Sequence, residues 1–134
     1  MISGQFAISL HILTLLATSD DYLSSDYIAG SLNVNPVLVR KEISNLKKHA
    51  LVESKEGKNG GTKLLKPAAD ITLDDIYKIT HEKISLGFSK NTPNPDCPIG
   101  KKITENLGSL YDDLDHVVSK QLGHISLLNF METF

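Results

Sequence analysis

Cysteine is all but missing from this chain of 134 residues, which has Cys97 and no other. One thiol closes no intramolecular disulfide, and this points to a reducing compartment, the cytoplasm. No stretch is long and apolar enough to span a bilayer. Residues 6–17 are rather apolar, but no positive n-region precedes them, and Ser9, His11 and Thr14 interrupt the run. A secretory signal is therefore not expected. Internal repeats and low-complexity tracts are absent. So are a Gly-rich phosphate loop, a nucleophile elbow and any metal-spaced set of His, Cys and Asp. His11, His49, His81, His116 and His124 are scattered without ligand spacing. Neither an enzyme nor a metal site is expected. The length suits one domain, or one domain with an appendage.

Positive charge is also missing from the first 35 residues, which carry three acids and no Lys or Arg. It is concentrated in residues 36–66, where eight bases face three acids for a net of +5. Residues 67–134 return to a net of -4, and the whole chain stands at -2. A basic island of this kind is what phosphate binding needs.

The island coincides with a run of local signals. Ser24 or Ser25 can cap a short helix whose inward face is Ile28, Ala29 and Leu32. Asn35-Pro36 starts a second helix, because Asn is a favoured N-cap and Pro at the first helical position lacks an N–H that had no partner. Val39, Ile43, Leu46 and Ala50 form its inward stripe. Arg40, Lys41, Ser44, Lys47 and Lys48 fall away from that stripe. Residues 57–61 read Gly-Lys-Asn-Gly-Gly, a loop between two short strands. Helix, turn, capped helix and hairpin make a winged helix-turn-helix, and double-stranded DNA is the expected partner. The other reading, a winged helix used against a protein, is disfavoured by the basic island.

Around this unit the chain supplies further helices. Residues 3–18 form the first, with Phe6, Leu10, Leu13 and Ala17 inward. After the break at residues 67–70, Thr72 and Asp75 make a capping box that opens a helix through about His81. Asp74 and Asp75 complement its dipole. Leu73, Ile76 and Ile79 or Tyr77 face the core. Three prolines keep residues 84–98 irregular. From Pro98 to about Leu122 runs the longest helix, which Gly123 ends. Along it Ile103, Leu107, Leu110, Leu114, Val117 and Gln121 repeat at heptad spacing. So regular a seam suggests the same helix of a second subunit, a homodimer. Ile125, Leu127, Leu128 and Phe130 form an apolar tail that folds back or reaches the other protomer. The fold class expected is mainly α with a small β-hairpin wing (α+β): a winged helix-turn-helix over residues 1–83, a loop over 84–98, and a dimerisation helix and tail over 99–134.

These residues together resemble the Rrf-two family of bacterial transcriptional regulators, over essentially the whole length. The resemblance is carried by the first helix, by Val34-Asn35-Pro36-Val37-Leu38-Val39-Arg40, and by Leu46-Lys47-Lys48-His49-Ala50-Leu51-Val52. It is carried further by the Gly57–Gly61 wing loop, by Ile71-Thr72-Leu73-Asp74-Asp75-Ile76 and by the Cys97-Pro98 junction. Residues 94–102 make the chain most similar to cluster-free members of the YwnA or HypR type. The resemblance implies a dimeric repressor whose long helices cross. Iron–sulfur members carry three cysteines near the loop, and this chain has only Cys97, so no Fe–S cluster is expected. Glu56 stands where the family usually has a wing Arg, and Thr62 where it has a wing aromatic. Lys55, Lys58 or Lys63 would then supply the wing's phosphate contacts.

In that arrangement Pro36, Val37 and Arg40 approach base edges in a major groove, with Arg40 suited to guanine and Val37 to a thymine methyl. Ser24, Ser25, Asn35, Lys41, Ser44 and Lys47 line the same surface, the serines and lysines toward phosphates. The operator should be pseudo-palindromic. Cys97, at a helix start, is the candidate redox sensor, because backbone N–H groups and the helix dipole favour a thiolate. The other readings leave Cys97 inert, the regulator being gated by a small-molecule effector held between the loop and the dimer helices or by a partner protein.

Overall fold

A computed structural model describes residues 4–80 and 82–134. Ser3 and His81, at which two helices were expected to begin and end, lie outside the described residues.

Helix α1 (Gln5–Ala17) buries Leu10, Ile12, Leu13 and Leu16. α2 (Ser25–Leu32) follows a turn and is capped by Ser24, whose hydroxyl accepts the Tyr27 N–H at 3.1 Å. Asn33 ends it in the left-handed region, which Asn tolerates. α3 (Pro36–Lys48) starts where its sequence signal lies, with the Asn35 side chain accepting the Val37 N–H at 2.8 Å. Strands β1 (Val52–Lys55) and β2 (Gly61–Leu64) form the antiparallel wing, with Glu53 opposite Lys63 and Ser54 opposite Thr62.

The inward stripe of α3 differs from expectation at one position. Ala50 lies beyond the helix at φ 57 and is exposed. The Ala50 N–H reaches the Lys47 carbonyl at 3.0 Å and the Leu51 N–H reaches the Leu46 carbonyl at 3.1 Å. This is the Schellman closure of a helix, and it turns Leu51 rather than Ala50 into the core.

A 3-10 turn (Ala68–Asp70) leads to α4 (Leu73–Ile79). Its capping box is formed on both sides, the Asp75 N–H to Thr72 Oγ1 at 3.1 Å and the Thr72 N–H to Asp75 Oδ2 at 2.9 Å. Leu73, Ile76, Tyr77 and Ile79 are all buried. The segment before α5 (Pro98–Leu122) is irregular and lies beside that helix. The Ile84 N–H donates to Asp115 at 3.1 Å and the Tyr111 hydroxyl to the Gly87 carbonyl at 2.6 Å. Gly123 closes α5 with an ordinary right-handed φ of -67.

The tail folds back on its own chain. α6 (Leu127–Met131) is held by the Leu127 N–H to the Ile71 carbonyl at 2.7 Å and the Leu73 N–H to the Ile125 carbonyl at 2.9 Å. Leu127 is wholly buried in the same cluster as Ile12, Leu13, Ile28, Val39 and Ile76. One core therefore joins both ends of the described chain.

Candidate nucleic-acid interface

The outward face of α3 is set by what its inward face needs. Val39, Ile43 and Leu46 go to the core at helical spacing, so Val37, Arg40, Lys41, Ser44, Lys47 and Lys48 are left in solvent. Val37 is 62% exposed, a large apolar side chain held out at the first turn. Pro36 beside it is half-buried, and Asn35 caps the helix. Among the described residues, Arg40, Lys41, Lys47 and Lys48 form no ion pair. Their charge is open to an outside anion.

Glu42 enters the charge count as an acid of the basic island, but the fold takes it off the surface. Although it lies between Lys41 and Ile43 in sequence, it is buried and faces α1. There it accepts from Ser9 Oγ at 3.4 Å and Gln5 Nε2 at 3.3 Å. The one acid of α3 is thus turned away from the outer face, which makes that face more positive than the sequence total suggests.

Ser24 and Ser25 sit at the start of α2, Ser24 exposed and Ser25 half-buried. On the wing, Lys55 and Lys58 are exposed. Lys63 is half-buried and lies 3.6 Å from Glu53. Glu56, where the resemblance would place an Arg, is exposed beside the wing loop. Thr62 is buried and pairs through its backbone with Leu23.

Behind this surface, α4 is fastened to α5 by two carboxylates. Asp74 accepts from Ser119 Oγ at 2.5 Å and pairs with Lys78 at 2.9 Å, a link between helices rather than only a dipole partner. Asp115 accepts from the buried Tyr77 hydroxyl. No local signal could have found these pairs, since their members lie 45 and 38 residues apart.

Cys97 is exposed and is the N-cap of α5, with the Gly100 N–H 3.4 Å from its sulfur. The N–H groups of Gly100 and Ile99 lower its thiol below the ordinary value. Along α5, Ile103 is 37%, Leu110 50% and Val117 65% exposed. Leu107 and Leu114 are half-buried and Gln121 is exposed. Tyr111 is the residue of α5 that is buried among those described. An apolar cavity of about 530 Å³ lies elsewhere, between α1 and α6, with Leu10, Leu15, Phe130, Met131 and Phe134 among its walls.

Comparison with known proteins places this geometry. The sequence pattern of the family described as Rrf2, iron-dependent transcriptional regulator, matches residues 2–133. YwnA of Bacillus subtilis, designated an HTH-type transcriptional regulator, is 37% identical over 131 residues, 98% of this chain and 97% of that protein. A crystal structure designated a DNA-binding protein superposes with a TM-score of 0.73 at 34% identity, covering 95% of this chain and 98% of that one. CymR, the global cysteine regulator of Bacillus subtilis, has the same fold, with a TM-score of 0.73 at 23% identity over 100% of this chain and 98% of its own. The iron in the family's description does not fit the donors here. Clusters are held by several thiolates, this sequence offers one, and no group of three His, Cys, Asp or Glu converges among the described residues.

Proposed function

This chain belongs to the Rrf2 family of transcriptional regulators, which bind DNA and are not enzymes, and from that premise we propose that it is a cytoplasmic, homodimeric repressor reading a pseudo-palindromic operator. The observation that carries the reading is the outer face of α3, where Val37, Arg40, Lys41, Ser44 and Lys47 stand exposed and the cations among them have no partner acid among the described residues. Arg40, one turn from the capped N-terminus, is suited to bidentate contact with guanine, and Val37 to a thymine methyl. The lysines, with Ser24 and Ser25, neutralise or hydrogen-bond phosphates on either side. The test is a binding titration of Arg40→Ala against a set of operator variants. Loss of about 1–3 kcal/mol confined to one base pair per half-site is expected. Equal weakening on every sequence would reduce Arg40 to a phosphate contact.

Dimerisation is supported by the row on α5, where Ile103, Leu110, Val117 and Gln121 are exposed and Leu107 and Leu114 are half-buried. A second copy of the helix would cover it. Residues 1–83 then serve as the DNA-binding unit, 84–98 as the sensing loop and 99–134 as the dimer element, with Leu127 tying the last to the first. Sedimentation of Leu110→Asp checks this, the expected result being a monomer with weakened operator binding.

Two observations bear on the input signal. Cys97 is exposed at a helix N-terminus with its thiol lowered, which supports release from DNA by thiol oxidation or electrophiles. The cavity between α1 and α6 favours a small apolar effector instead, at a place other than the loop and dimer helices. Operator binding by the wild type and Cys97→Ser, with and without oxidant, separates them. An oxidant effect abolished by the substitution supports the thiol. Indifference to oxidant supports the effector.

A further inference from the structure

The wing is joined to the rest of the DNA-binding surface by a three-strand seam. The Leu23 N–H donates to the Thr62 carbonyl at 2.9 Å, and the Thr62 N–H returns to the Leu23 carbonyl at 2.9 Å. Residues around Leu23 thus run antiparallel beside β2. Antiparallel pairing at Leu23 and Thr62 sets Tyr22 across from Lys63, and the hairpin register sets Lys63 across from Glu53. Tyr22, Lys63 and Glu53 form one row on one face of the seam.

Within the row the contacts close on each other. The Tyr22 hydroxyl donates to Glu53 Oε1 at 3.0 Å. Lys63 Nζ lies 3.6 Å from the same oxygen and 4.9 Å from the centre of the Tyr22 ring. Its charge is answered by a carboxylate and by a ring face. Lys55, two residues beyond Glu53 on the same face, has its Nζ 5.8 Å from that ring. Lys58, in the wing loop, is exposed and makes no ion pair among the described residues. The backbone fits the same purpose. Gly61 has φ +145, and a Cβ there would come within 2.3 Å of the Leu23 carbonyl oxygen, so only glycine lets the strands approach this closely.

We infer that Tyr22 is a positioning residue for the wing, and that Lys63 belongs to a clamp that orients the hairpin while Lys55 and Lys58 meet the phosphates. The inference deepens the DNA-binding reading and rests on it. Tyr22 lies two residues before Ser24, the cap of α2, so the clamp sets the wing's angle at the point where the helix-turn-helix begins.

The test is the salt dependence of binding by the full chain to a duplex from upstream of its own gene and to a scrambled duplex of equal length. Each lysine that ceases to neutralise a phosphate lowers the slope of log affinity against log salt by about 0.9. Lys58→Met is expected to lower the slope by that amount per subunit, and Lys63→Met to leave it unchanged, because the thioether still packs on the Tyr22 ring and the bond from the Tyr22 hydroxyl to Glu53 stays. Tyr22→Leu is expected to lower both affinity and slope, and Tyr22→Phe, which keeps the ring, to restore most of each. Glu53→Gln, a change nearly neutral in size, is expected to steepen the slope by freeing the Lys63 charge; it serves if Tyr22→Leu does not fold. A slope for Lys63→Met that falls as for Lys58→Met would overturn the inference, as would wild-type behaviour of Tyr22→Leu. Salt-insensitive binding by the wild type would refute the DNA-binding reading itself. In that case the ring-current shift of the Lys63 ε-methylene, measured by NMR without DNA, still decides the clamp. It should be present in Tyr22→Phe and absent in Tyr22→Leu, and its absence from the wild type would refute the clamp.

Discussion

Changing Tyr77 to Phe removes one oxygen atom from the joint between α4 and α5. Tyr77 is buried on α4, and its hydroxyl donates to Asp115 on α5. The ring also meets Phe6 edge to face at 6.0 Å, a contact that Phe would keep. Burial first, and the bond to Asp115 second, push the phenol up to about 12 from 10.0. For Asp115, burial pulls the other way, but the Tyr77 hydroxyl and the Ile84 N–H outweigh it and hold the carboxyl below its ordinary value. Two pH units correspond to about 2.7 kcal/mol, an upper bound because burial supplies the largest part. A hydrogen bond to a charged group contributes about 1.5–3 kcal/mol net, and Asp115 is only half-buried, so the low end applies. Tyr77→Phe should therefore cost about 1–2 kcal/mol at pH 7. The raised phenol stabilises the fold in its protonated form. That contribution is complete below pH 10 and fades as pH rises toward 12. The depressed carboxyl contributes above its ordinary value and loses its effect as pH falls through the lowered one. The gap between wild type and variant should be widest between these limits and close toward both. Urea denaturation followed by far-ultraviolet circular dichroism at neutral and alkaline pH measures it. Equal midpoints at pH 7, or a gap that persists undiminished as the phenol ionises, would refute the reasoning.

Three other outcomes are expected on the same physical grounds. Leu127→Ala should cost about 2–5 kcal/mol by urea denaturation, since Leu127 is wholly buried where α6 returns to the core; a surface-like loss below about half a kcal/mol would mean that the tail does not dock there. Ala50→Gly should stabilise by about 0.5–1 kcal/mol, because relief of the left-handed φ of 57 exceeds the added freedom of the unfolded chain, and thermal melting checks it. Alkylation of Cys97 by iodoacetamide should reach half its limiting rate at lower pH than a short Cys97-containing peptide, since the Gly100 and Ile99 N–H groups favour the thiolate; coincident profiles would remove the helix-terminus effect.

Much of the fold was legible along the chain because its signals are local. Asn35 and Pro36 start α3, and Thr72 and Asp75 close a capping box, each within four residues. Helical periodicity then decides which α3 side chains go inward, and so which ones remain in solvent. The heptad spacing on α5 was equally readable, and Ile103, Leu110 and Val117 of it stand exposed. Other features were not legible. A stripe at i, i+4 and i+7 predicts Ala50 as its next member, but the Schellman closure ends the helix first and substitutes Leu51. Counting charge treats Glu42 like any other acid, although Ser9 and Gln5 draw it into the body.

From its sequence alone this protein had most of its helices, the capped start of α3, its wing and the bases that α3 and the wing carry, because caps, turn residues and periodicity act over a few residues. Only the tertiary structure decided the rest. It brought Leu127 back to the core of residues 10–79, joined Tyr77 to Asp115 and Asp74 to Ser119, and lined up Tyr22, Lys63 and Glu53 in one row. Each of these joins residues more than 30 apart in sequence, or depends on one that does. The chain reversals that bring such residues together are set by the packing of the whole core, which no short window of sequence contains.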